Sequence, residues 1–277
     1  VAMLIKPTQE RLRAMRLSGM AEAFATQMED TGAAQLSFEE RFSLMVDQEW
    51  LARQNRALQR RLKEARLGQQ ACLEEIDYKH QRGLDRALVR SLSSSQWITS
   101  HHNLLISGPT GVGKSFLGCA FAHKAVRDGF TVLYLRASRL YQSLSLARAD
   151  GSLQGLFRTD VLVVDDWAMH SMSETERRDF LEICEERYER RSTLLTSQFP
   201  IAQWHKQIGD PTIADSILDR LVHNAYRIEL RGESLRRQIG KKSIEDQSTD
   251  EKRKANKELT TLVHDTHTMH SGATADT

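Results

Sequence analysis

A glycine-rich octapeptide constrains this chain more than any other feature of its sequence. Residues 108–115 read Gly-Pro-Thr-Gly-Val-Gly-Lys-Ser, which satisfies the phosphate-loop pattern G-x-x-x-x-G-K-[ST] at every fixed position. The glycines permit a tight loop whose backbone N–H groups turn inward, so that the main chain can approach an anion without a Cβ clash. The octapeptide and the residue after it therefore predict a nucleotide site made of Gly108, Pro109, Thr110, Gly111, Val112, Gly113, Lys114, Ser115 and Phe116.

The residues on either side of this loop predict a strand before it and a helix after it. Residues 103–106 form a short apolar run typical of a buried parallel strand, and helical spacing continues from Ser115 to Gly129. Phosphates would then lie at a helix N-terminus. We expect Lys114 to contact the β- and γ-phosphates and the Ser115 hydroxyl to bind Mg²⁺, so ATP and Mg²⁺ are the predicted cofactors.

A pair of carboxylates follows the apolar run at residues 161–164. A central strand of a parallel sheet delivers such residues at its C-terminal end, beside the phosphate loop, and this is the Walker B arrangement. We assign Asp165 to the Mg²⁺ shell through water, and Asp166 to the role of general base toward the attacking water. The alternative is that the two aspartates only cap a helix.

Further apolar runs alternate with helical patterns through the middle of the chain. The runs lie at residues 103–106, 131–135, 161–166, 193–198 and 225–230. Strands that alternate with helices in this way form parallel sheets, so the order predicts an α/β fold with a doubly wound, five-stranded parallel sheet. The fourth run ends in polar residues near the γ-phosphate, where Gln198, or Ser197 as second choice, would orient water.

The chain before the loop reads as helices. Ser37 and Glu40 form a capping box that opens a helical pattern extending to about Arg66. One face of this helix is apolar and is expected to pack, through Leu44, Leu51, Leu58 and Leu62. The opposite face is basic and carries Arg53, Arg56, Arg60 and Lys63. This basic face is either a contact for the DNA backbone or an ordinary solvated surface.

A second basic stretch lies between residues 136 and 158, and Tyr134 and Tyr141 are interleaved with its arginines. This stretch has two equally good interpretations. It is either a DNA-binding surface that includes Arg136 and Arg139, or an exposed helix edge. The net charge of +2 does not decide between them.

No apolar run approaches the ~20 residues that span a bilayer, which predicts a cytoplasmic protein without a membrane partner. Three scattered cysteines predict neither a disulfide framework nor a zinc site.

Four segments together resemble the IstB-type AAA+ ATPases, the helper proteins of insertion-sequence transposons, which are similar in turn to DnaC-type helicase loaders and to DnaA. They are the phosphate loop, the strand that ends in Asp165, Asp166 and Trp167, the sequence TSQFPIAQWH at 196–205, and ILDRLVHNAYRIELRGESLRR at 217–237. The resemblance covers residues 3–238. It implies an AAA+ P-loop domain at 91–238 after a small all-α N-terminal domain at 1–90, and the polar composition beyond predicts a disordered tail at 239–277.

The resemblance also implies individual roles. Gln198 falls at the sensor 1 position, Arg220 matches the arginine finger that acts in a neighbouring subunit, and Arg236 or Arg237 matches sensor 2. Family members form oligomers, bind double-stranded DNA with little sequence preference when loaded with ATP, and act with a transposase. The implied function is an ATP-hydrolysing assembly that selects target DNA and activates its partner transposase. The alternatives are a DnaC-like helicase loader and, less well supported, a small-molecule phosphotransferase.

Overall fold

The computed structural model of the chain describes residues 2–80, 82–150 and 158–235. The predicted tail at 239–277 and both sensor 2 candidates, Arg236 and Arg237, lie outside these residues. Within the described part, no helix is long and apolar enough to cross a membrane.

Three helices form the N-terminal region: α1 (Ala2–Ala14), α2 (Ser18–Glu29) and α3 (Phe38–Ala65). The predicted capping box at the start of α3 is confirmed, because the Ser37 hydroxyl accepts from the Glu40 backbone N–H and the Glu40 carboxylate accepts from that of Ser37. Helix α2 packs so closely against α3 that a Cβ on Gly19 would lie 2.8 Å from the Gln48 carbonyl oxygen. The glycine therefore allows the two helix backbones to meet.

The apolar face of α3 is only half buried, which corrects the expectation that the whole face packs. Leu58 and Leu62 pack against the core beside the sheet, whereas Leu44 and Leu51 remain 51% and 55% exposed. With 28 residues, α3 is about 42 Å long. The C-terminal part of α3, which carries Leu58 and Leu62, covers the sheet. The middle of the helix meets α2 instead, through Gln48, Glu49 and Ala52.

Short elements connect α3 to a five-stranded parallel sheet. After a 3₁₀ turn (Leu73–Glu75) come α4 (Arg86–Leu92) and α5 (Gln96–Thr99). The strands are β1 (Asn103–Ser107), β2 (Val132–Arg136), β3 (Val161–Trp167), β4 (Ser192–Ser197) and β5 (Ala225–Glu229). The helices between them are α6 (Lys114–Arg127), α7 (Ala137–Asp150), α8 (Glu174–Arg187), α9 (Trp204–Ile208) and α10 (Pro211–Val222).

The strand order β2-β3-β4-β1-β5, with parallel pairing throughout, confirms the predicted fold class. Strand β1 is buried along its whole length, and successive residues face opposite layers. Leu104 and Ile106 join the core beneath α3 and α6, while Leu105 joins the core beneath α7, α8 and α10. Helices therefore cover both faces of the sheet, which leaves the ends of the strands as the place where a ligand can enter.

Two tryptophans from the segments that carry the family resemblance meet in the second of these cores. The rings of Trp167, at the end of β3, and Trp204, at the start of α9, lie 4.7 Å apart in an edge-to-face arrangement, and both are fully buried. The Trp204 indole N–H donates to the Phe199 carbonyl at 2.9 Å. This packing anchors the loop after β4 beside the end of β3.

Candidate nucleotide site

The phosphate loop leaves the C-terminal end of β1 and leads into α6. Gly111 and Gly113 have left-handed φ angles of 84° and 97°, and Gly113 is the N-cap of α6. A Cβ on Gly113 would lie 2.6 Å from Arg82 Nη1, and one on Gly111 would clash with the Ser234 hydroxyl. Both conformation and space therefore require glycine at these two positions.

Lys114 begins α6 and is only 5% exposed. Its ammonium donates to the carbonyl of Pro109 in the same loop, at 2.8 Å. Burial lowers the pKa of Lys114, and the attraction of Asp166 and Asp165 offsets part of this effect. A buried cation at a helix N-terminus beside a cavity is a favourable place for phosphate oxygens.

The cavity next to the loop has a volume of about 470 Å³, within the range of small-ligand sites. It brings together residues from both predicted motifs, because Asp166 and Gln198 line it along with the loop and the start of α6. The loop and α6 contribute Thr110, Gly111, Gly113, Lys114, Ser115 and Phe116, and the remaining lining residues are Gln69, Glu75, Asp77, Arg82 and Leu235.

The two aspartates at the end of β3 differ in position. The register between β3 and β4 shifts between Val164 and Trp167, and Asp166 has a left-handed φ of 57°. This irregularity lets Asp166 line the cavity, whereas Asp165 beneath it is 1% exposed. Neither aspartate caps a helix, because Ser173 is the N-cap of α8, so the capping alternative is wrong.

Two hydroxyls hold the buried carboxylate of Asp165. The Tyr134 hydroxyl, from β2, donates to Oδ2 at 2.6 Å, and the Thr196 hydroxyl, from β4, donates to Oδ1. Thr196 Oγ1 also accepts from the Asp166 backbone N–H at 3.0 Å. The neighbouring strands therefore set the orientation of both acids. The motif at the end of β3 did not identify Tyr134 or Thr196 as partners of Asp165, because each lies on a different strand.

Of the two water-orienting candidates, Gln198 is the one held at the loop. Its Oε1 accepts from the Thr110 hydroxyl at 3.0 Å, and the side chain lines the cavity. Ser197 is buried, and its Oγ accepts from the Phe199 backbone N–H at 3.2 Å. The geometry thus favours Gln198 over Ser197.

Arg82 is a site residue that the sequence motifs did not reveal. It is 6% exposed, and its guanidinium donates to the Val112 carbonyl in the loop at 3.1 Å and to the Asp77 carbonyl at 3.2 Å. It therefore fixes the irregular segment before α4 onto the phosphate loop. Arg82 lies outside any recognisable motif, so only the fold could identify it.

Arg220, the predicted arginine finger, lies away from the chain's own phosphate loop. The Asn103 side chain, at the start of β1, donates to the backbone carbonyl of Arg220, which places this residue near the end of β1 opposite the loop. The Arg220 side chain has an acidic partner within the same chain, which lies on another helix. Its guanidinium pairs with Glu185 on α8 at 3.0 Å.

The predicted DNA-contacting residues form two separate groups, neither of which lines the cavity. On α3, Arg53 and Arg56 contact the buried carboxylate of Glu49 at 2.8 and 3.2 Å. The same carboxylate accepts the Gly19 backbone N–H at 2.7 Å, which ties α2 to α3. These two arginines therefore serve an internal carboxylate and are not merely solvated.

The side chains of Arg53 and Arg56 are themselves exposed, as are those of the other predicted DNA contacts. Arg60 and Lys63 are exposed near the end of α3, and Arg60 lies 4.0 Å from Glu64 across an open surface. Arg136 and Arg139 are exposed at the end of β2 and the start of α7.

Comparison with known proteins gives a consistent assignment. The family model described as IstB-like ATP binding protein matches residues 10–243. The insertion sequence ATP-binding protein y4pL of Sinorhizobium fredii is 51% identical over 245 residues, covering 87% of this chain and all of that protein. The insertion sequence IS21 ATP-binding protein of Pseudomonas aeruginosa is 35% identical over 230 residues, covering 82% of this chain and 86% of that protein.

Among solved structures, the DnaC helicase loader matches with a TM-score of 0.50 at 20% identity, over 58% of this chain and 96% of that one. At this identity the likeness establishes the AAA+ P-loop fold alone. The family match extends over most of the chain, including α2, α3 and the sheet. The chain belongs to the family of IstB-like ATP-binding proteins, the AAA+ proteins of insertion sequences.

Proposed function

We propose that this protein is a Mg²⁺-dependent ATPase that assembles on double-stranded DNA and assists its partner transposase in selecting target DNA. The observation that carries the proposal is that the buried Lys114 ammonium and the Asp166 carboxylate belong to one cavity built on the phosphate loop. A cation for the phosphates and a base for water are the two groups that phosphoanhydride hydrolysis requires.

The residues of the cavity support distinct tasks. The backbone N–H groups of residues 111–115 and the Lys114 ammonium would bind the phosphates. Asp166 would accept a proton from the attacking water on its carboxylate, and Gln198, held by Thr110, would orient that water. Arg82 holds the phosphate loop, and Thr196 accepts the backbone N–H of Asp166. The groups are therefore held before substrate binds, so little reorganisation is needed.

Mg²⁺ prefers oxygen ligands, and Ser115 in the cavity and Asp165 beneath it can supply them. Ser115 would bind the ion directly, and Asp165 would act through a bound water because both of its oxygens already accept hydroxyl hydrogen bonds. When bound, the ion neutralises charge on the β- and γ-phosphates.

The DNA and transposase parts of the proposal rest on the family. Its relatives carry names that place them in insertion sequences, where the natural partners are DNA and a transposase. The exposed cations Arg60, Lys63, Arg136 and Arg139 offer phosphate contacts without sequence information. A DnaC-like helicase loader is the second candidate, but only the fold favours it.

The proposal is tested with the purified chain and its Asp166→Asn variant. Phosphate release from Mg²⁺-ATP is measured with and without duplex DNA of mixed sequence, and ATP affinity is measured separately. We expect Asp166→Asn to bind ATP normally and to lose about 10²- to 10⁴-fold in rate. Asp47→Asn, an exposed acid on α3, is the control and should match the wild type.

Equal rates for Asp166→Asn and the wild type would contradict the assigned base, and a wild type that releases no phosphate with DNA present would contradict the ATPase proposal. Co-sedimentation with the transposase encoded in the same insertion sequence tests the partner. ATP-dependent recovery of transposase and DNA together is expected, whereas recovery of a replicative helicase in its place would favour the loader.

A further inference from the structure

The Tyr134 hydroxyl is one of two groups that fix the orientation of the Asp165 carboxylate. Tyr134 is 7% exposed, and its donation to Asp165 Oδ2 at 2.6 Å occurs in a buried environment. The exposed Arg136 guanidinium also interacts with this hydroxyl.

A buried carboxylate depends strongly on such donors. Asp165 is 1% exposed, so an oxygen that loses its hydroxyl partner cannot simply turn to bulk water. With Thr196 holding Oδ1 and Tyr134 holding Oδ2, the carboxylate plane is fixed from two strands. Without the Tyr134 hydroxyl, only Thr196 would hold the carboxylate, and a single hydrogen bond does not fix its plane.

The ring of Tyr134 also supports the chain that leaves α3. Gly68 lies three residues after the end of α3, and a Cβ placed on it would lie 2.5 Å from the Tyr134 hydroxyl oxygen and 2.6 Å from the ring carbon that bears it. The buried Cys119 thiol on α6 lies near the backbone of Gly68 and Gln69, so this segment lies beside α6. Gly68 and the Tyr134 ring are thus packed so tightly that a movement of α3 would displace the ring.

We propose that Tyr134 is a positioning residue for ATP hydrolysis: its hydroxyl orients Asp165 toward the Mg²⁺ shell, and its ring transmits the position of the segment after α3 to that carboxylate. This inference rests on the proposed ATPase function and deepens it. A partner that moves α3 would change the rate of hydrolysis through Gly68 and Tyr134, without contacting the nucleotide.

The first test compares Tyr134→Phe with Tyr141→Phe. Tyr141 is also buried, but its hydroxyl lies 4.0 Å from the Met172 sulfur, in the core beneath α7 and α8. We expect Tyr134→Phe to bind ATP within about twofold of the wild type and to need about 10- to 100-fold more Mg²⁺ for half-maximal hydrolysis, as is usual when a group that orients a metal ligand is removed. Tyr141→Phe should leave the Mg²⁺ dependence unchanged.

A second readout does not depend on hydrolysis. Affinity for Mn²⁺ is measured in the complex with a non-hydrolysable ATP analogue, and it should fall by a similar factor in Tyr134→Phe alone. If the wild type binds Mn²⁺ in this way but releases no phosphate, the ATPase proposal fails while the metal-positioning role stands. Equal Mn²⁺ affinity in Tyr134→Phe and the wild type would overturn the inference, as would an equal loss in Tyr141→Phe.

The connection to α3 is tested with Gly68→Ala, whose added methyl must displace the Tyr134 ring. Gly129→Ala is the control for an added methyl group, because a Cβ there meets nothing within 4 Å. We expect Gly68→Ala to weaken Mn²⁺ binding, and the double variant with Tyr134→Phe to be little weaker than either single one. Fully additive losses, or an unchanged Mn²⁺ affinity in Gly68→Ala, would contradict the transmission from α3.

Discussion

Two regions of this molecule present cations in recognisable patterns, and the structure treats them differently. In the phosphate loop, Lys114 is buried and donates to a neutral carbonyl of its own loop, beside a cavity. On α3, Arg53 and Arg56 converge on the buried carboxylate of Glu49. The comparison teaches that a cation next to a cavity is available to a ligand, whereas a cation that neutralises an internal acid is part of the scaffold.

Arg220 is expected to give the largest effect and tests this comparison most directly. It pairs with Glu185, and yet the family resemblance implies that it acts in a neighbouring subunit. We expect Arg220→Ala to retain ATP binding and to lose about 10³-fold or more in hydrolysis stimulated by DNA. Glu185→Gln breaks the same ion pair but keeps the guanidinium, so its rate should stay near that of the wild type.

Mixing separates the two explanations for Arg220. Inactive Arg220→Ala and inactive Asp166→Asn proteins, combined in equal amounts, should recover part of the activity, because some interfaces then join an intact arginine to an intact acid. A mixture as inactive as its components, with co-assembly verified by sedimentation, would leave Arg220 as a structural ion pair and would support the comparison as it stands.

Lys114→Ala should produce the next largest effect. Removing the ammonium leaves phosphate charges without their partner in a preformed site, so we expect ATP affinity to fall on the order of 100-fold. Lys63→Ala makes the same chemical change on the exposed end of α3 and should not alter ATP affinity. Titration with a fluorescent ATP analogue measures both. Similar losses in the two variants would show that net charge matters more than position.

Glu49→Gln tests whether the cations on α3 are part of the scaffold. The change weakens hydrogen bonds from Arg53 and from the backbone of Gly19, so we expect the free energy of unfolding to fall by about 1–3 kcal/mol in urea titrations. Glu64→Gln, whose partner Arg60 lies 4.0 Å away on the open surface, should change it by less than about 0.5 kcal/mol. Equal effects would argue against Glu49 as the anchor of α2.

The contribution of Glu49 should also depend on pH in a defined direction. Burial by itself raises the pKa of Glu49, but hydrogen bonds from Arg53, Met20 and Gly19 outweigh it, so the pKa lies below its usual value of 4.5. Because its pKa is lower in the folded state, the ionised Glu49 carboxylate stabilises the fold at pH values above its unfolded-state pKa. This stabilisation is lost as the pH falls through the folded-state pKa. The difference in stability between Glu49→Gln and the wild type should therefore shrink below pH 4.5.

The smallest effect is expected from the exposed part of the α3 basic face. Replacing Arg60 and Lys63 by Gln should reduce the slope of log affinity for DNA against log salt concentration by ~2, with helical content and stability unchanged. Arg53→Gln with Arg56→Gln is the matched pair and should lower stability, because it removes the partners of Glu49. An unchanged salt slope for Arg60 and Lys63 would leave them as solvated charges.

Local patterns were sufficient for much of the fold and for part of the site. The phosphate loop, the capping box at Ser37 and the apolar runs each depend on residues close together in the chain. Fixed glycine spacing, a reciprocal cap and a buried strand are local physical requirements, and all three appear where the sequence predicts them. The parallel sheet follows from their order, because strands that alternate with helices have few other ways to pack.

Tertiary structure alone decided which side chains meet across large separations in sequence. Tyr134 and Thr196 each lie about 31 positions from Asp165, and Arg82 lies 30 from Val112. The partner of Arg220 is 35 positions away, on a helix that its own sequence neighbourhood does not identify. Likewise, the leucine spacing of α3 defines an apolar face, but the extent of the neighbouring sheet decides that Leu58 is covered and Leu51 is not. Hydrophobic periodicity specifies a direction around a helix axis, whereas burial and pairing depend on what the rest of the chain places in that direction.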